Sequence, residues 1–344
     1  MQRVVGVPFE PIDSALSRIL VVRRDEQRHL FAFAVDHIIN DQISGALLEQ
    51  TLATYYRRHL AGAPVDVTAP HTYAAFAARQ QAAFAGLWGE QCRAYWERHV
   101  ADHGLYPPTL AEDGPRTGTP VLASLRRDLP ADAQARVHAF ALATRTTPFT
   151  VTTASVLSAL LEITGDRSVG VTVNHHGRML PGTAETLGLF VQTVPIHLRA
   201  ADHSPAATAR EVLGASLDAF ERFVPLRVAG RAWGIDLVAP DRDAGIYVSH
   251  GEEVPADAVL QPFEGTTSVH PEFRVPGGKQ WTDTVAIDWH LTARGPQIGA
   301  HFNADTFSES ACGSAAGRRG EGGAGGPVLS AVAHSGACSK SRAS

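Results

Sequence analysis

The stretch FAFAVDHIINDQIS, residues 31–44, decides the predicted fold of this chain. Its first five residues are apolar, rich in aromatic and branched types and too few for a typical helix, so they predict a buried strand. Asp36 and His37 follow at the end of that strand, and Asp41 comes four residues after His37. A strand end holds an imidazole in a fixed position, and the ordinary pKa of histidine suits proton transfer from an amine or a hydroxyl. The same pattern also fits a structural histidine followed by an aspartate that caps a helix.

Regular elements flank this stretch on both sides. Apolar residues recur with a period of 3.6 after it and predict a helix over about 44–60, which Gly62 and Pro64 end. Before it, residues 19–22 and 30–35 predict two strands joined by the polar loop 23–29. The decisive stretch is therefore expected to connect a hairpin to a helix.

The rest of the chain mixes helix and strand patterns and predicts an α/β protein. Helices are expected over 72–99, 130–144, 148–161 and about 205–220; strands are expected over 122–129, 169–173, 189–198, 247–249, 284–291 and 297–302. Four prolines and three glycines between residues 102 and 120 predict a linker between two lobes, 1–110 and 111–311. Residues 312–344 are rich in Gly, Ala and Ser without periodicity, so we expect a disordered tail or the product of a shifted reading frame.

Composition excludes several classes of protein. The 344 residues are 44% hydrophobic and 19% charged, as in globular domains, and the net charge of -5 without a basic block disfavours nucleic-acid binding. No apolar run reaches the roughly 18 residues of a membrane span, and no signal peptide is evident. Three cysteines do not form a disulfide framework, which favours a cytoplasmic location.

Two kinds of cofactor site are disfavoured by their sequence context. The string GEGGAG at residues 320–325 matches a dinucleotide fingerprint, but no strand precedes it and no helix follows it. No spacing of histidines, cysteines or carboxylates suggests a metal site. We therefore expect the chain itself to bind neither a cofactor nor a metal.

Five segments, in this order and spacing, resemble the condensation domain of nonribosomal peptide synthetases, within the chloramphenicol acetyltransferase-like superfamily. They are Pro8–Glu10, Asp36–Gln42, Tyr95–His99, Thr147–Thr150 with Thr164–Asp166, and Gly177–Arg178 with Gly188–Ile196. The resemblance covers about residues 7–310. It implies a two-lobed α/β fold, a V-shaped pseudo-dimer with a central tunnel. Compared with the family, we expect the chain to be truncated at both ends.

The family motif H-H-x-x-x-D-G places its second histidine on His37 and its aspartate on Asp41. The resemblance implies that His37 is catalytic: it deprotonates or positions the acceptor amine. It also implies that Asp41 is structural and pairs with an arginine of the other lobe, for which Arg178 is the candidate. Asp36 replaces the first histidine of the motif and is expected to support its neighbour. Gln42 replaces the glycine of the motif, a change that we expect to strain a tight turn.

The reaction implied is acyl transfer that forms an amide or an ester. The donor is an acyl or aminoacyl thioester on the phosphopantetheine of an acyl or peptidyl carrier protein, and other synthetase modules are further possible partners. Two alternatives stay open. One is a catalytically degenerate condensation-like module that docks a carrier protein or a tailoring enzyme, and the other is an O-acyltransferase that uses acyl-CoA.

Overall fold

The computed structural model describes residues 7, 9–10, 12, 14–65, 71–104, 110, 112–119, 121–201, 204–234, 245–252, 284–291 and 295–315. Contacts divide the chain into two compact units. The first unit contains the described residues up to Ala83 together with His176–Val191, and the second contains Phe84–His175 and the described residues from Gln192 onward. The predicted lobes are 1–110 and 111–311, so the prediction places segment 176–191 in the second lobe, whereas the contacts place it in the first unit. The lobe boundaries remain a prediction.

The first unit is built on a hairpin and two helices. Strands β1 (Ser17–Arg23) and β2 (His29–Val35) pair antiparallel, with Ser17 opposite Val35 and Arg23 opposite His29. A single turn of 3₁₀ helix, His37–Ile39, leads into helix α1 (Gln42–Leu60), and helix α2 (Tyr73–Phe84) follows. The predicted order of hairpin, histidine and helix is confirmed, but the predicted burial of β2 is wrong, because all seven of its residues are exposed or half-buried.

The second unit is a six-stranded mixed sheet with helices. Its helices are α3 (Leu87–His103), α4 (Ala133–Thr144), α5 (Pro148–Thr164), α6 (Pro205–Glu221), α7 (Leu226–Trp233) and α8 (Glu309–Ala315). Its strands are β3 (Leu122–Asp128), β4 (Ser168–His175), β5 (Gln192–Arg199), β6 (Gly245–Glu252), β7 (Thr284–Leu291) and β8 (Gln297–Asn303). The strand order is β3-β8-β7-β6-β4-β5, and β6 runs parallel to both of its neighbours.

Helix α5 forms the centre of this unit. Every residue from Thr150 to Leu160 is buried, although five of these eleven residues are threonine or serine. The Thr147 side chain accepts a hydrogen bond from the Thr150 N–H at the N-terminus, Pro148 occupies the first turn, and Gly165 ends the helix with φ 67°. These local signals explain why the helix starts as predicted at Pro148.

The helical region predicted over 72–99 is confirmed and consists of two helices, which are separated at Gly86 before α3. Two other elements differ from the predictions. Strand β5 begins at Gln192 instead of Leu189, because the residues before it bond to α1. Helix α8 runs past Cys312, where the tail was expected to begin, because Cys312 and Ala315 are buried in the hydrophobic core. The rest of the predicted tail, 316–344, lies outside the described residues.

The described part of the predicted linker, residues 112–119, is attached to the second unit. The Asp305 carboxylate accepts hydrogen bonds from the N–H groups of Thr117 and Gly118, at 2.6 and 2.8 Å, and from the Thr117 hydroxyl at 2.7 Å. The backbone N–H of Gly114 donates to Thr306 O. This segment is therefore an ordered part of the second unit, a correction to the expected linker.

Candidate active site

His37 is held in a fixed turn at the end of β2. The Asp36 carboxylate accepts a hydrogen bond from the Ile38 N–H at 2.8 Å and so caps the turn that contains His37. His37 Nδ1 lies 2.7 Å from Asn40 O, and because a carbonyl oxygen only accepts, Nδ1 must carry the proton of this bond. In the neutral ring Nε2 is then the acceptor. The side chain is exposed, so Nε2 can receive a proton from a substrate.

Asp41 is a buried carboxylate with four hydrogen-bond donors around it. It is 4% exposed and caps helix α1. Its Oδ1 accepts from the Ser44 N–H at 2.7 Å and from an Arg178 Nη at 3.0 Å. Its Oδ2 accepts from the N–H groups of Phe190 and Val191, at 2.9 and 3.3 Å. Asp41 therefore ties the start of α1 to segment 176–191.

Hydrogen bonding decides the charge of Asp41. Burial favours the neutral acid, but the N–H groups of Ser44 and Phe190, together with the Arg178 guanidinium, hold the pKa of this carboxyl below its usual range. Asp41 is consequently ionised at neutral pH. With both oxygens occupied by donors, it is suited to a structural role and poorly placed to exchange protons with a substrate.

Arg178 is the partner of Asp41 and connects it to the rest of the loop. Its side chain is 5% exposed, and its guanidinium donates to the carbonyl oxygens of Thr183 and of Thr186, the latter at 2.8 Å. The guanidinium carbon lies 4.0 Å from the centroid of the Phe190 ring, within the range of a cation–π contact. The guanidinium thus connects the helix start to both sides of the 176–191 loop.

Ser44 is a site residue that the sequence did not predict. This residue is fully buried, and its Oγ donates to Gly188 O at 2.7 Å and accepts from the Gly188 N–H at 3.0 Å and from Arg178 at 2.7 Å. Its position in the sequence is the one local indication of this role: Ser44 lies three residues after the capping Asp41, in the first turn of a helix, where backbone N–H groups lack partners within the helix. That signal does not reveal the contact with residue 188, which is distant in sequence.

Aromatic packing supports the same loop. The Tyr73 hydroxyl donates to Leu189 O at 2.7 Å, and its ring lies edge-on to Phe190 with centroids 5.1 Å apart. A side chain at Gly188 would collide with this tyrosine, because its Cβ would lie 2.1 Å from a Tyr73 ring carbon. Burial, followed by the charge of Asp41, raises the pKa of Tyr73, so the hydroxyl stays a donor.

The predicted strain at Gln42 is absent from the structure. Gln42 is the first residue of α1 and is exposed, and it is not among the described residues with positive φ. The turn before the helix is made instead by Asp41, whose φ of -125° suits any residue. The glycine of the family motif is therefore not required at position 42.

The predicted site residues form two groups within the first unit. Asp41 and Arg178 are in direct contact, whereas Asp36 and His37 make their hydrogen bonds inside their own turn. Among the described residues no cluster of metal ligands is present, and none of the described helices is long and apolar enough to cross a membrane.

Comparisons with known proteins agree on one family. The family model of the condensation domain matches residues 1–222. The phosphinothricin tripeptide synthetase PhsB of Streptomyces viridochromogenes is 30% identical over 199 residues, which are 56% of this chain and 16% of that protein. The matched part of the chain thus spans less than a fifth of that curated relative.

Solved structures show the same likeness. The first condensation domain of the calcium-dependent antibiotic synthetase, in complex with a substrate analogue, has a TM-score of 0.59 at 24% identity, covering 87% of this chain and 64% of that chain. The X-domain from teicoplanin biosynthesis has a TM-score of 0.71 at 17% identity, covering 94% of this chain and 74% of that chain. At these identities the likeness establishes the fold.

Proposed function

Because this chain belongs to the condensation-domain family, we propose that it is an acyltransferase of nonribosomal peptide biosynthesis. Its mixed α/β fold is the chloramphenicol acetyltransferase-like fold of solved condensation domains. In the proposed reaction an acyl or aminoacyl group passes from a thioester to an amine or a hydroxyl acceptor. The donor is carried on the phosphopantetheine of an acyl or peptidyl carrier protein, and other synthetase modules act as further partners.

The observation that supports this proposal most directly is the tautomer of His37. Its Nδ1–H is engaged by Asn40 O at 2.7 Å, which leaves Nε2 as the acceptor of an exposed ring. As the acceptor amine attacks the thioester carbonyl, Nε2 takes a proton from the amine nitrogen. The carbon–sulfur bond of the tetrahedral intermediate then breaks, and the leaving thiolate receives that proton. A positioned base of this kind contributes about 10²–10⁴-fold to the rate.

The other site residues act by positioning in this proposal. Asp36 fixes the turn that contains His37, through its bond to the Ile38 N–H. Asp41 and Arg178 fix the start of α1 four residues further on, together with segment 176–191. Catalysis by placement needs such rigidity, because small displacements of a base from its proton reduce the rate strongly.

A single-turnover assay tests the proposal. A carrier protein loaded with an acyl or aminoacyl thioester is mixed with amine and hydroxyl acceptors, and transfer is followed by intact-protein mass spectrometry. His37→Ala should lower the rate about 10²–10⁴-fold, while the matched control His59→Ala, at the exposed end of α1, should match the wild type. Equal rates for wild type and His37→Ala would remove the catalytic role of His37. Carrier binding without any transfer by the wild type would favour the non-catalytic docking module instead.

A further inference from the structure

Three histidines pack ring against ring in the second unit, apart from the candidate active site. His99 and His103 lie one helical turn apart on α3, and His197 lies on β5. Ring centroids are 5.2 Å apart between His99 and His103, 4.7 Å between His99 and His197, and 4.8 Å between His103 and His197. We call these residues the three-histidine cluster; it joins α3 to the edge strand of the sheet.

Four of the six ring nitrogens of the cluster are buried without hydrogen bonds among the described residues. His197 is 6% exposed, and neither of its ring nitrogens has a partner among the described residues. His99 Nε2 and His103 Nδ1 are buried and unpartnered in the same way. Buried polar atoms are normally paired, and an imidazolium would bring a second N–H and a full charge into this site. The geometry therefore favours neutral rings.

The surroundings of the cluster offer little compensation for a positive charge. On α3, Tyr95 and Trp96 contact the His99 ring, and Asp102 is the acidic group that acts on His99 and His103. On β5, the charge of Arg199 opposes protonation of His103. In β4, the residue opposite His197 is Gly170, which has no ionisable side chain.

Helix α6, which packs against β5, directs its charges elsewhere. Asp218 on α6 and Arg222 just after it act on the Tyr95 hydroxyl, and the Arg222 guanidinium lies 5.2 Å from the Tyr95 ring centroid. Asp102 is thus the only carboxylate among the described groups that act on the cluster.

We propose that the three-histidine cluster is an acid-sensitive contact, in which the neutral rings hold α3 against β5 and their protonation opens it. Protonated imidazoles repel one another at these ring distances, and the two buried nitrogens of His197 reach water only if α3 moves away from β5. The opening begins at the C-terminal turn of α3, which contains His103 and ends at Gly104.

The direction of the pH effect follows from the protonation of each ring. Burial, with the charges of neighbouring histidines, lowers the pKa of His99 to about 4 and that of His197 to about 3, and burial lowers the pKa of His103 as well. In an unfolded or opened chain each pKa returns to about 6.5. The contact is therefore fully stable above that value and weakens as the pH falls below it. Between pH 7.5 and 5.5, His99 and His197 each lower the closed-to-open ratio by about tenfold.

Hydrogen exchange measured by mass spectrometry tests this proposal on the full chain. Protection factors, corrected for the intrinsic pH dependence of exchange, are compared at pH 7.5 and 5.5. In the wild type, the protection factors of peptides from α3 and β5 should fall at least tenfold more between pH 7.5 and 5.5 than those of peptides from α5. His197→Leu should reduce the pH-dependent loss in α3 by about tenfold, and His138→Gln, an exposed histidine on α4, should leave it unchanged. His99→Leu repeats the test at the second ring if His197→Leu fails to fold.

Two outcomes would overturn the proposal. One is an equal pH-dependent loss of protection in α3 for the wild type, His197→Leu and His99→Leu. The other is a Zn²⁺-dependent rise in the melting temperature at pH 7.5 that occurs in the wild type but not in His197→Leu. That result would mean that the unpartnered nitrogens are metal ligands.

Discussion

Removing the Asp41 carboxylate should release segment 176–191 from helix α1. Asp41→Ala deletes the acceptor of four hydrogen bonds. It also leaves the Arg178 guanidinium without its carboxylate in a buried site, where the Arg178 side chain is 5% exposed and the Asp41 side chain 3%. Breaking a buried ion pair in this way costs about 3–5 kcal/mol. The loss should act on the first unit, where all of these partners lie.

Native-state hydrogen exchange measures this effect where it occurs. A cost of about 3–5 kcal/mol corresponds to a loss of protection of about 10²–10⁴-fold. We expect this loss in peptides that contain Phe190 and the first turn of α1. The matched control is Asp25→Ala, because the side chains of the Asp25–Arg28 pair are 39% and 75% exposed and solvent screens their attraction.

An equally small loss of hydrogen-exchange protection in Asp41→Ala and Asp25→Ala would contradict the proposed stabilisation by the buried Asp41 network. A double-mutant cycle adds a second check. Arg178→Met should cost much less in the Asp41→Ala background than alone, because the two side chains share one network. Additive costs would mean that the 3.0 Å contact between Arg178 and Asp41 contributes no coupling free energy.

Two further substitutions test the packing. Ser44→Ala should lower the free energy of unfolding of the first unit by about 1–3 kcal/mol, because the N–H and the carbonyl of Gly188 lose their buried partner. Thermal unfolding measures this loss, and Ser44→Cys should restore part of the stability. Thr147→Ala should destabilise the second unit by about 1 kcal/mol, because α5 loses its N-terminal cap. Ser204→Ala, which removes the cap of α6, should cost a similar amount. A cost near zero in denaturant titrations would contradict the capping role of these residues.

Local signals were sufficient to predict the elements around the site. The short apolar run before Asp36 gave β2, the 3.6-residue period gave α1, and the pair Thr147–Pro148 gave the start of α5. Each of these depends on residues that are close in sequence. The resemblance to a known family then added the fold and the candidate pair Asp41 and Arg178, which spacing alone does not indicate.

Contacts between distant residues limited the rest of the prediction. Strand β5 was expected to start at Leu189, since Leu189–Val191 are apolar and follow a glycine, but the N–H groups of Phe190 and Val191 bond to Asp41. The three-histidine cluster shows the same limit. His99 and His103 have helical spacing that is visible in the sequence, whereas the third ring, His197, joins them only through the packing of α3 and β5.

The structure assigns different physical tasks to two residues that lie four positions apart. Asp41 is ionised and buried, with donors on both oxygens, so protonating it would break the bonds that hold α1 to segment 176–191. His37 is exposed and uses only Nδ1 for its own turn, so its Nε2 can gain and lose a proton without disturbing that network. Proton transfer and rigidity are therefore separable by mutation: His37→Ala should lower the rate of transfer without altering exchange in α1, and Asp41→Ala should alter both. A loss of protection in α1 upon His37→Ala would contradict this separation.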